Sequence, residues 1–210
     1  MKEERISVAL VGIYDRPINL IPQLDPDFCK NLFGQPEITM VGIGQEGLVI
    51  STNNKPFPLV IIGLQKIAIK VANENDLAQC ISAIQAEFAA KGLAFKFSAY
   101  GINYEYQFLN INQPAEEWMW YRFVQPKIKT KSKYQSCPRL TLRFGINDIE
   151  TINLTVEPRI GVHDGIFVDI NHHHSSAIEE LSALMVKKHY AESVKIVEEL
   201  LSDVILNNHE

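Results

Sequence analysis

Between Gly165 and Leu206 the apolar positions change their spacing from every second residue to every third or fourth, and the rest of the chain can be arranged around that change. Ile166, Val168 and Ile170 alternate with Phe167 and Asp169, the period of a half-buried strand. Ser176, followed three residues later by Glu179, makes a capping box in which each side chain can satisfy a backbone N–H at a helix start. Neither Gly nor Pro interrupts the run from Ser176 to Leu206. One helix of roughly 46 Å is therefore allowed, against a radius of gyration of about 17 Å for a compact chain of this length.

At 100° per residue the first half of that run places Ala177, Ile178, Leu181, Leu184 and Met185 on one side. The second half places Tyr190, Val194, Val197, Leu201 and Val204 on nearly the opposite side, with the change at Lys187, Lys188 and His189. Two arrangements follow. Either the helix breaks near His189 and both pieces pack on one core, or it stays straight and is buried on different faces at its two ends. The second arrangement requires two bodies, whether two lobes of the chain or a partner subunit.

Upstream, Ile6–Ile13 reads as a strand, and Leu20–Gly34 as mostly irregular with one short helical turn after Asp25. Glu37–Ile43 and Gly47–Thr52 read as two strands joined tightly. Their joint, Gly42-Ile43-Gly44-Gln45-Glu46-Gly47, matches the dinucleotide fingerprint G-x-G-x-x-G letter for letter. That fingerprint needs a helix to follow, so that phosphate meets free N–H groups; here β-branched residues follow, and the context is that of a glycine hairpin. Leu59–Val71 reads as a long strand, irregular at Gly63, with Ile67, Ile69 and Val71 facing inward. Asn75 is the expected cap of a helix carrying Leu77, Ile81, Ile84 and Phe88 and closing at Lys91-Gly92. Leu93–Asn110 is the longest strand expected, its alternation changing phase near Tyr100-Gly101.

Beyond Gln113 comes a short aromatic segment, then a lysine-rich stretch, then strands at Leu140–Phe144 and Ile149–Pro158 with turns near Gly145 and Gly161. The expected fold is α+β: antiparallel sheet in two strand-then-helix lobes, backed by the helix at Asn75–Lys91 and a long or kinked C-terminal helix. The expected division is a lobe over 1–124, a basic linker or exposed edge over 125–137, and a β-meander with the long helix over 138–210. The last part can also join the first in one continuous domain. No residue-level repeat supports duplication.

With 210 residues, 46% of them hydrophobic, the chain can bury a substantial core. A net charge of −5, from 20 basic and 25 acidic residues, argues against a protein whose main work is gripping duplex nucleic acid. Cys29, Cys80 and Cys137 are widely spaced and form no C-x-x-C, as in a reducing compartment, and Cys80 sits in a helical apolar pattern. Ile6–Ile13 is too short for a signal peptide, and no apolar run approaches the roughly 20 residues of a spanning helix. A cytoplasmic location with no membrane partner is the expectation.

Two polar constellations bear on chemistry. His163, Asp164, Asp169 and the triplet His172-His173-His174 offer imidazole and carboxylate groups suited to divalent transition metals. Consecutive histidines in an extended chain point alternately, so His172 and His174 share a face and are the first ligands to test. A polar loop before a helix cap accounts for the same residues, and no cofactor or metal is assigned. Second, Trp118, Trp120, Tyr121 and Phe123 precede Lys127, Lys129, Lys131 and Lys133, which lie on one side of an extended segment. Rings beside a lysine track suit single-stranded nucleic acid; the competing reading, which is preferred, has aromatics filling a core or seam while the lysines guard an exposed edge.

Nucleophile motifs are missing: there is no G-x-S-x-G elbow and no cysteine in a catalytic setting. Glu116-Glu117, Glu179-Glu180 and Glu198-Glu199 fall in helical contexts where a solvated face explains them. The functional expectation is a non-enzymatic intracellular protein that binds a protein partner or a second copy of itself. The alternative from another class is an enzyme on a small or phosphorylated substrate, metal-assisted through the histidine region. A third is single-stranded nucleic acid binding through residues 118–133.

Overall fold

The alternating stretches do become strands, and they join in one antiparallel sheet. The computed structural model describes residues 1–17, 24–53, 55–93, 96–123, 138–175 and 183–206. In chain order the elements are β1 (Lys2–Tyr14), α1 (Pro26–Asn31), β2 (Thr39–Gly44), β3 (Gly47–Thr52), β4 (Leu59–Ile62), β5 (Lys66–Val71) and α2 (Glu74–Ala90). There follow β6 (Phe97–Leu109), α3 (Ala115–Phe123), β7 (Leu140–Gly145), β8 (Glu150–Pro158), β9 (Ile166–His174) and α4 (Ala183–Leu201), which ends in a π turn over Ser202–Leu206. The nine strands run in the order β2-β3-β4-β5-β1-β6-β9-β8-β7, and with the helices they make the expected α+β fold. The aromatic segment is the helix α3; the 125–137 stretch and the Ser176–Glu179 capping box lie outside the described residues.

Two compact units divide the chain: Met1–Ser7 with Asn103–Asn171, and Val8–Ile102 with His172–Glu210. In the larger unit, Ile50, Val60, Ile62, Ile67, Ile69 and Val71 project from β3, β4 and β5 into a core and are fully buried. Over that face lies α2, whose Leu77, Ile81, Ile84 and Phe88 recur at the helical period and are buried with it. Its cap is Asn73, two residues before the expected Asn75. The Asn73 side chain accepts from the backbone N–H of both Asn75 and Asp76, using two of the orphan donors of the first turn. At the other end Gly92, at φ 67°, closes the helix as its position after Lys91 implies.

Leu59–Val71 is corrected from one irregular strand to a hairpin. β4 and β5 pair from Leu59↔Lys70 to Ile62↔Ile67, and the Gly63 N–H donates to the Lys66 carbonyl at 2.8 Å. A Cβ on Gly63 would collide with the Glu46 carbonyl, so glycine is required there by packing. The short turn expected after Asp25 is α1, capped by Asp25 itself, whose carboxylate accepts from the Asp27 N–H at 2.8 Å.

In the same unit α4 is unbroken through His189, which excludes the break there and leaves the straight arrangement of the two expected. Among the described side chains of α4, Val186, Ser193, Val197 and Leu201 are the buried ones and form one stripe, and α4 packs beside α2. Leu184, expected in a second stripe on the opposite side, is 80% exposed. In the π turn the wider i→i+5 winding buries Ile205 where Val204 was expected.

The smaller unit has a core of its own. Tyr104, Tyr106 and Phe108 of β6, Ile152, Leu154 and Val156 of β8, and Ile166, Val168 and Ile170 of β9 are buried, as are Ala115 and Met119 of α3. The expected phase change in β6 falls between Phe97 and Tyr100: Phe97 is buried at an odd position, whereas Tyr100, Ile102, Tyr104, Tyr106 and Phe108 are buried at even ones. The start of α3 is fixed by the Ala115 N–H donating to the His163 carbonyl at 2.8 Å. In this unit the buried Ser7 Oγ donates to Glu105 at 2.7 Å, and the amide of buried Gln107 donates to Glu4.

Candidate functional site

The histidine triplet is strand rather than loop, which corrects the polar-loop reading. β9 continues its alternation through His174, so His172 and His174 face inward and are buried, while Asp169 and His173 take the other face. His163 is exposed in the turn that precedes β9, so neither it nor Asp169 joins the inward pair.

Ring stacking and a hydrogen bond to Ser193 help to hold the buried imidazoles. His172 Nδ1 lies 2.8 Å from Ser193 Oγ of α4, and its ring centroid lies 4.2 Å from that of His174. Tyr100 stacks parallel on His174 at 4.4 Å, and His189 meets both rings edge-on, at 5.3 Å from Tyr100 and 5.5 Å from His174. Glu192 lies 3.8 Å from His189 Nδ1. Ser193 is 0% exposed, so its hydroxyl holds an imidazole in place and is closed to a substrate from solvent.

The described cysteines are equally closed. Burial pushes the Cys80 thiol up to about 12, with Asp76 adding to the effect. Burial, then the charges of Glu87 and Asp25, raise Cys29 as well. Both stay neutral thiols near pH 7, the form that is a poor nucleophile. Cys80 is the core residue its sequence position implied.

Trp118 and Trp120 lie half-buried on α3, where Ala115 and Met119 fill the core. Trp118 meets Phe123 edge-on at 5.7 Å, and the Arg122 guanidinium lies 5.2 Å over the Trp118 ring and 5.9 Å from Phe123. A cation thus already covers one face of the best stacking ring. Tyr121 is 70% exposed. Lys127, Lys129, Lys131 and Lys133 lie outside the described residues.

The feature that sequence reasoning did not single out is β2. It is the outermost strand beyond β3, and Met40, Val41 and Ile43 are 55%, 41% and 81% exposed. The register Thr39↔Thr52, Val41↔Ile50, Ile43↔Leu48 places Thr39, Val41 and Ile43 on the face where Thr52, Ile50 and Leu48 are buried. The core face of the sheet therefore continues onto β2 and ends there in the open. No charged residue or proline lies between Glu37 and Glu46. The glycine-rich joint is a two-residue hairpin with Gly44 opposite Gly47, the latter at φ 134° and too close to the Ile62 carbonyl for a side chain. Glu46 in its turn pairs with Lys66 at 3.0 Å.

No known protein-family model matches this chain, and no curated protein is significantly similar to it.

Proposed function

We propose that this protein is a non-enzymatic binding protein that works by self-association, two copies adding strand to strand along β2. The observation that carries the reading is an outermost strand that is apolar, uncharged and exposed on both faces. Such a strand offers a row of unpaired backbone groups, and edges of this kind are ordinarily blunted with lysine, proline or a bulge. β2 has none of the first two.

A second copy fits because an antiparallel strand can pair with itself about a two-fold axis. With the axis through Gly42, Val41 of one copy stands opposite Ile43 of the other, twice, on the face that continues the core. β-branched residues directly opposite one another are favourable cross-strand pairs. The same register sets Glu37 opposite Gly47 and Glu46 opposite Ile38, so no like charges meet. A Cβ at Gly42 would meet nothing within 4 Å, so the strand is open at the crossing point.

The enzyme reading is less well supported, since the one Ser–His pair described is buried at Ser193. The nucleic-acid reading is weakened by the guanidinium over Trp118. Light scattering after size exclusion tests the proposal. The expected mass is twice 23.8 kDa, falling to the single-chain value when Val41→Lys and Ile43→Lys are combined. A wild-type chain that stays single at high micromolar concentration overturns it, as does a double variant that keeps the doubled mass.

A further inference from the structure

A cleft of about 390 Å³ opens in the larger unit, within the range of small-molecule sites. It is walled by the segment after α1, the ends of β3 and β5, the Phe57-Pro58 segment and the first turns of α2. The polar groups around it are Thr52, Lys55, Asp76, Gln79 and Gln35, set against apolar surface from Phe33, Phe57 and Val71.

Thr52 is the group that makes this cleft a site. It occupies the inward row of β3 after Leu48 and Ile50, where a third aliphatic residue would pack, and it is only 3% exposed. Among the described residues its Oγ1 is buried and has no hydrogen-bond partner. Buried hydroxyls are normally hydrogen-bonded, and because Thr52 lines the cleft, a rotation about its Cα–Cβ bond is what would present the hydroxyl to a ligand there.

The remaining chemistry narrows the ligand. Asp76, in the first turn of α2, accepts from the Asn73 side chain at 2.9 Å through one carboxylate oxygen, Oδ2. Its charge also acts on Cys80 at the same wall. It therefore suits a cation or N–H donor. Lys55, which is exposed, suits an anion, and the two glutamines can bond to either kind of group. The same lining includes aromatic and aliphatic surface. We infer that this cleft binds a small zwitterion with an apolar side chain, of the free amino-acid class, its ammonium toward Asp76, its carboxylate toward Lys55 and Thr52 bonding to one of its polar atoms. The inference stands apart from the pairing along β2.

The test uses the full-length protein and the apolar and aromatic amino acids as probes, followed by calorimetry and by amide chemical shifts. At least one is expected to bind at micromolar to millimolar concentration and to shift the amides of Thr52, Ala72 and Gln79. Thr52→Val, which keeps the shape and removes the hydroxyl, should weaken binding roughly tenfold without lowering the unfolding temperature. Lys55→Met, at an exposed position, should do the same and should abolish discrimination against the carboxyl-esterified probe. No shift with any amino acid overturns the inference. So does a Thr52→Val variant that folds and binds as tightly as the parent, or an N-acetylated probe that binds as well as the free one.

Discussion

The sheet ends in two strands that solve the same problem differently. β7, outermost beyond β8, alternates half-buried Leu140, Leu142 and Phe144 with exposed Thr141, Arg143 and Gly145. Its register, Leu142↔Leu154 and Phe144↔Ile152, keeps the apolar row on the buried face of β8, and Arg143 stands outward opposite Asn153. At its start Arg139 reaches across to Glu157 at 3.5 Å. β2 has six residues and no charge, and its inward row is left open at Val41 and Ile43. Placing a cation on the solvent face of an outer strand makes a second copy an unfavourable neighbour. One edge is guarded in that way and the other is not, which is why the pairing is assigned to β2.

The largest effect should come from giving β2 the guard that β7 has. Combining Val41→Lys with Ile43→Lys places four like charges across the proposed two-fold. It is expected to weaken dimerisation at least a hundredfold, roughly 3 kcal/mol. Sedimentation equilibrium measures this directly, and unfolding in urea at low protein concentration should show the single chain still folded. A variant that unfolds while its dimer affinity persists would reverse the assignment.

A smaller effect tests the register. With the axis at Gly42, Gly42→Glu sets a carboxylate against its own copy, and Gly42→Lys does the same with an ammonium. Each alone should weaken association about tenfold or less, and added salt should restore part of it. A mixture of the two should form the heterodimer in preference to either homodimer. Mass spectrometry of the intact mixture reads this out, and random pairing would place the axis elsewhere. Smaller again is the converse change on β7. Arg143→Val with Thr141→Val removes the outward cation and should raise concentration-dependent association only severalfold, because the apolar row there is already engaged with β8.

Much of the fold could be read from local pattern because local physics decides it. The alternation of Ile67, Ile69 and Val71, the stripe of α2 and its closure at Gly92, and the hairpin inside a nucleotide-like glycine motif all stand as their spacing implies. What escaped was set by neighbours far along the chain. Position 63 has to be glycine because the Glu46 carbonyl leaves no room for a side chain, a contact no window of sequence contains. Leu184 belongs to the periodic pattern and yet faces solvent, because the buried stripe of α4, with Val186, Val197 and Leu201, is chosen by what it packs on. The inward placement of His172 and His174 was legible as parity; their packing on Tyr100, His189 and Ser193 was not. The lack of charge in β2 was in plain view, but that it is an outer strand depends on strand order, which periodicity does not carry.

The smallest expected effect separates guarding an edge from stabilising it. The Arg139–Glu157 pair is well exposed, with side-chain accessibilities of 65% and 34%, and surface pairs of this kind contribute about 0–1 kcal/mol after side-chain entropy and solvent screening. Arg139→Ala should therefore change the urea midpoint by little more than its error, while Leu142→Ala, which removes the partner of buried Leu154, should lower stability clearly. If Arg139→Ala instead cost more than about 2 kcal/mol, the ion pair and not the aliphatic row would be holding β7 in place. The absence of charge in β2 would then mark a strand that is merely weaker, and the contrast would no longer point to a partner.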